Sequence, residues 1–182
     1  MDDCRMVVTP ADLAALSCPP GLINNYKTLY QFNQIRARYQ LTQRPIPQAE
    51  FHLLEACAQP PHTRRRIRTL CKTLGMTKYQ TRWIEIRARL TGQTPPHLGN
   101  PLWDRMEREV ELVSVAFLKV REKRKIFPCL NFFIRERLYH YGRLKPLSTE
   151  FDPYFPYPRC RVTAARFQVL LKKLYRFSGI PH

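Results

Sequence analysis

The chain of 182 residues predicts an all-α fold, a compact multi-helix domain, and three observations carry that prediction. Apolar residues recur every three or four positions along several segments, the period of a helix with one buried face. No stretch sustains the strict alternation of a half-buried strand. The sixteen prolines and six glycines fall mostly between the periodic stretches, where they delimit helices. At 44% hydrophobic and 12% aromatic, the chain has the material for a core.

Each element follows in order. Thr9 is placed to cap a short helix running to Leu16, and Pro19-Pro20-Gly21 breaks it. Residues 1–22 therefore read as a lead-in and 23–182 as a single helical domain. From Asn25 to Leu41 a helix sets Leu29, Phe32, Ile35 (or Arg36) and Tyr39 near one face. Pro47 opens a helix carrying Phe51, Leu54 and Ala58, ended by Pro60-Pro61. Residues 63–74 and 78–90 form two helices broken at Gly75, with Leu70, Leu74, Met76 and Ile84 inward and Cys71 small between them. Thr77 is suited to cap the second, along which Tyr79, Trp83, Ile86 and Leu90 recur, while Thr81 stands where an apolar residue is expected. Asn100-Pro101 is a cap and first-turn pair for a long helix with the stripe Leu102, Met106, Val110, Val113, Phe117 and Val120. That stripe is expected to pack against residues 132–138 of the next helix, which runs from Pro128 to Tyr141 and stops at Gly142. A Pro- and Tyr-rich linker, 152–158, reads as exposed, and Phe167, Leu170, Leu171, Leu174 and Phe177 form the apolar face of the last helix.

Charge narrows the partners. With 31 Lys and Arg against 14 Asp and Glu, the net charge is +17, and a compact domain holding it repels itself. A polyanion, nucleic acid first, is the natural counterpart. The longest apolar runs, such as 112–118, are too short to span a bilayer, so no membrane partner is expected. Glu107, Glu109 and Glu111 diverge around their helix and read as a solvated acidic face, not a metal site. The six cysteines are scattered, and Cys57, Cys71 and Cys129 sit in helical patterns as reduced, partly buried thiols. No phosphate-binding, dinucleotide or hydrolase motif occurs, so no enzyme, cofactor or metal is expected. No secretory signal opens the chain.

A helix that stops at a glycine and resumes is how a helix-turn-helix offers its second helix to a DNA groove. On that reading Lys78, Gln80, Thr81 and Arg82 approach base edges and nearby phosphates, while Arg64, Arg65, Arg66 and Arg68 hold the backbone. Arg121, Lys123, Arg124 and Lys125 form a second basic surface, although cations at a helix end also suit its dipole.

From Tyr26 onward the chain resembles the poxvirus-type late transcription factor three-like family of large eukaryotic DNA viruses. The resemblance rests on ordered motifs: Tyr26-Lys27 with Gln31-Phe32-Asn33 and Tyr39-Gln40, then Ile46-Pro47, Lys78-Tyr79, and the loop Thr91-Gly92-Gln93-Thr94-Pro95-Pro96. Arg124-Lys125-Ile126-Phe127 ahead of Gly142, and Tyr154-Phe155-Pro156, complete the series. Arg82-Trp83 and Ile126 depart from the family pattern, and 1–22 offers only Cys4 and Cys18 toward the zinc ribbon that family members often carry. The resemblance implies late viral transcription in an infected cell, in virus factory or nucleus, through duplex DNA, the viral RNA polymerase or other transcription factors. Two further readings stay open. One is a structural or adaptor protein that neutralises nucleic acid without reading it, using scattered charge such as Arg159, Arg161, Lys172, Lys173 and Arg176. The other is a polymerase-recruiting module that never touches DNA, with 154–158 as its contact.

Overall fold

A computed structural model of the protein describes residues 20–120, 129–142, 151, 153–155 and 161–180, with side chains from residue 27 onward except those of 120 and 161–164. The described residues are all-α: α1 (Pro20–Tyr39), α2 (Gln48–Cys57), α3 (Arg64–Thr73), α4 (Trp83–Thr91), α5 (Asn100–Val120), α6 (Leu130–His140) and α7 (Arg161–Ser178). A 3-10 helix, Thr77–Arg82, stands between α3 and α4, and no strand occurs among the described residues. The expected helix ending at Leu16 lies outside them.

Helix α5 is the spine, with α1 and α7 packed along it. Its apolar spacing dictates this: Met106, Val110, Val113 and Phe117 are buried together with Phe132, Phe133, Ile134 and Leu138 of α6. Leu102 is only partly buried, and Trp103 leads the stripe instead. The larger ring wins the position because Phe32 and Tyr39 of α1 meet it at 5.8 and 5.6 Å between centroids.

The expected exposed linker is a correction. Phe151, Tyr154 and Phe155 are buried. The Phe155 N–H donates to the Phe151 carbonyl at 2.8 Å, making a turn that sends both following rings inward. Tyr154 stacks on Trp83 at 5.9 Å, and Phe155 stacks on Tyr39 at 5.1 Å. Proline and tyrosine look solvent-facing in a sequence, but a tyrosine ring carries a large apolar area and needs only its tip wet or bonded. For the same reason Tyr154 cannot serve as a freely exposed polymerase contact. On α7 Leu170, Leu171 and Leu174 are buried as expected, but Phe177 is 62% exposed and Tyr175 takes the inward place.

The acidic face is also corrected. Glu109 is buried and bound by Arg137 of α6, with Nε to Oε2 at 2.7 Å and Nη2 to Oε1 at 3.0 Å. Glu107 accepts from Asn33 at 2.7 Å and pairs with Arg36 of α1, while Glu111 stays exposed. Arg36 also reaches Asp104 at 2.7 Å. The three glutamates do diverge, but two of them meet neighbouring helices. Of the thiols, Cys71 is buried, and burial pushes its pKa up. Cys57 and Cys129 are exposed, against expectation, because each falls at a helix end where packing stops.

Burial pushes the Tyr175 hydroxyl well above the ordinary tyrosine range, and it pushes Tyr141 and Tyr154 in the same direction. A folded-state value above the unfolded one stabilises fully below the unfolded value and is lost as pH rises toward the folded one. Stability should therefore hold up to about pH 10 and then fall, by about 1.4 kcal/mol per pH unit for Tyr175 alone. Urea midpoints followed through alkaline pH check this, with Tyr175→Phe expected to show the shallower decline. Equal declines would refute the assignment.

Candidate nucleic-acid interface

Helix α3 begins where the Thr63 hydroxyl accepts the Arg66 N–H at 3.3 Å. Ile67 and Cys71 bury one face. Arg64, Arg68 and Lys72, spaced by four, then share an edge, with Arg65 beside them. Three arginines in the first turn oppose the helix dipole, which disfavours cations there by about 0.3–1 kcal/mol each. Their placement is not helix chemistry. The helix ends as the Gly75 and Met76 N–H groups donate to the Lys72 and Cys71 carbonyls at 3.0 and 2.8 Å. Gly75 takes φ +69° in that turn, a conformation that favours glycine.

The turn returns the chain so that α4 lies against α3. Between them runs a groove of about 1010 Å³, lined by Arg64, Arg65, Arg68 and Lys72 on one side and Arg87 on the other. Trp83, Pro61, His62, Pro153 and the threonines 63, 69 and 91 complete the lining, and among the described residues no carboxylate joins it. Arg64 lies over the Trp83 ring at 5.8 Å and Arg87 over Tyr154 at 5.7 Å. Flat rings thus hold two guanidinium groups without neutralising them. Burial lowers the Arg64 pKa, and repulsion from Arg68 adds to it. Among the described residues, the ion pairs use Glu50, Glu55, Glu85, Asp104, Glu107 and Glu109, and none reaches a groove cation. The groove is positive and suited to an anion.

The other expected contacts are divided. Arg66 donates to the Pro60 carbonyl and lines a separate hollow with Cys57 and Leu70. The expected helix over 78–90 is split: 77–82 is 3-10, and α4 starts at Trp83. Thr77 falls inside the 3-10 turn, and neither flanking cap position bonds through its side chain. Thr77 and Thr81 are β-branched, and a 3-10 turn aligns residues three apart, so Arg82 lies over the Tyr79 ring at 5.7 Å. Lys78 is held by Glu50 at 3.0 Å, which raises its pKa; the Tyr79 hydroxyl and then Lys78 lower that of Glu50. Arg82 is taken by Glu85 and the Arg44 carbonyl. Glu85 in turn accepts the Ile46 N–H at 2.8 Å, which ties α4 to the loop before α2. Gln80 and Thr81 instead line a notch shared with Arg38, Arg64 and Arg68. Arg121, Lys123, Arg124 and Lys125 lie outside the described residues.

Sequence reasoning missed Lys72, Arg87 and Arg38. The spacing of four from Arg64 and Arg68 marks Lys72, but nothing local marks Arg87 or Arg38, which arrive from other helices. Among the described residues no cluster of His, Cys, Asp or Glu could hold a metal ion, and Cys4 and Cys18 lie outside them. No described helix is long and apolar enough to cross a membrane. Comparison with protein-family models, with curated proteins and with solved structures finds no match.

Proposed function

We propose that this protein binds nucleic acid through the α3–α4 groove, gripping phosphates with Arg64, Arg65, Arg68, Lys72 and Arg87. The observation that carries the reading is a groove of cations with no carboxylate among its described lining residues, while Glu50, Glu85, Asp104 and Glu109 are paired with cations outside it. The resemblance to the late transcription factor three-like family supports placing this binding at late viral genes, on promoter DNA, the viral RNA polymerase or both. A second reading, binding without sequence readout, draws support from Lys78 and Arg82. Both are paired, Lys78 with Glu50 and Arg82 with Glu85, so a base contact by either competes with an existing ion pair.

Salt dependence tests the groove. Each phosphate contact contributes about −0.9 to the slope of log K against log salt on duplex DNA. The triple variant Arg65→Gln, Arg68→Gln, Lys72→Gln should flatten the slope by about 0.9 for each phosphate no longer neutralised, weakening all sequences alike. Removing the same charge from exposed positions of α7, with Arg166, Lys172 and Lys173 changed to Gln, should leave the slope near that of the parent. Equal flattening by both variants would establish scattered neutralisation instead. Selection of duplexes from a random pool separates the two readings of specificity, since enrichment of one sequence requires base readout.

A further inference from the structure

We infer that the notch walled by Arg38, Arg64 and Arg68 binds a phosphate monoester, the dianionic end group of a nucleic-acid strand. The notch lies between α1, α3, the 3-10 turn and the Tyr154-Phe155 turn, holds about 140 Å³, and adjoins the groove through Arg64, Arg68 and Trp83. It admits one phosphate group and excludes a base pair. Guanidinium groups from two helices line it, and among the described residues no carboxylate does. The Arg38 Nε is buried and meets no acceptor among the described residues. A buried donor without an acceptor is costly, so an acceptor-rich ligand is the natural complement. Burial lowers the pKa of Arg38 and of Arg64, and Arg64 also feels the charge of Arg68 and Arg38. An anion here relieves both desolvation and repulsion. Gln80, Thr81 and Asn131 add neutral donors.

Two features choose the ligand. A phosphodiester brings one negative charge to three guanidinium groups, whereas a monoester brings about −1.5 to −2 near neutral pH and three acceptor oxygens. Stacking of a base is excluded, because Trp83 and Tyr154 cover each other and Arg64 lies over Trp83. The assignment to a strand end rests on the nucleic-acid reading above; the phosphate chemistry does not.

The test titrates the full chain with one short duplex, labelled at its 3′ end, carrying either a 5′-phosphate or a 5′-hydroxyl. The phosphorylated duplex should bind about tenfold tighter, on the scale of one or two charge-assisted hydrogen bonds. Arg38→Gln should bring that ratio close to one, and Arg68→Gln should reduce it should the first variant fail to fold. Equal binding of the two duplexes by the parent overturns the proposal, as does a ratio retained by both folded variants. Inorganic phosphate distinguishes the sources. If neither duplex binds but phosphate raises the Tm of the parent and not of the Arg38→Gln variant, the monoester site stands and the nucleic-acid reading fails. If phosphate is also without effect, both fail.

Discussion

Arg137→Met is expected to destabilise the protein by about 3–5 kcal/mol, because it leaves a buried carboxylate without its main counter-charge. Arg137 is 1% exposed and grips Glu109 with two hydrogen bonds, and its Nη2 also donates to the Tyr141 hydroxyl at 3.1 Å. Tyr141 donates in turn to Glu109, which closes a triangle between α5 and α6. Burial works against the Arg137 charge, but the bonds to Tyr141 and Glu109 outweigh it and raise its pKa. The guanidinium also lies 4.9 and 5.1 Å from the rings of Tyr141 and Tyr175. In the variant, Arg105, half exposed and 3.6 Å from Glu109, is a poor substitute. The double variant Glu109→Leu, Arg137→Met should recover most of the loss, since an apolar pair of similar volume removes the uncompensated charge. Urea denaturation measures both. A single-variant cost below about 1 kcal/mol would show that water reaches the pair and that the network is not sealed.

Phe155→Ala should cost about 3–5 kcal/mol, the usual range for deleting a fully buried phenyl ring. The ring is 1% exposed, stacks on Tyr39 and lies 6.4 Å from Trp103. Removing it opens a cavity where α1, α5 and the 153–155 turn converge, and Tyr39 is anchored there by its hydroxyl on the Pro96 carbonyl at 2.6 Å. Phe177→Ala supplies the contrast. That ring is exposed, so its loss should stay within about 0.5 kcal/mol. Periodicity and composition alone would rank the two the other way, with Phe177 in a helix face and Phe155 in a linker. Comparable costs for the two substitutions would return 153–155 to the surface and remove the platform on which Arg87 rests.

Periodicity determined the helices. Met106, Val110, Val113 and Phe117 are spaced to face one direction, and four buried residues of α6 meet them as expected, because a helical stripe must find a partner whatever the partner is. Thr63 and Gly75 marked boundaries because capping and φ > 0 are local chemistry. The net charge likewise follows from composition and points to a polyanion. Tertiary structure alone decided which charges are free. Lys78 is paired with Glu50, 28 residues earlier, a partner that nothing near Lys78 in the sequence announces. Glu109 reads as solvated until Arg137 closes over it. Arg87 and Arg38 enter the site only when α4 and α1 pack beside α3. The physical reason is range. Helix signals act over one or two turns of a single segment, whereas neutralising a charge needs an opposite charge within a few ångströms, and the chain's folding decides which one arrives.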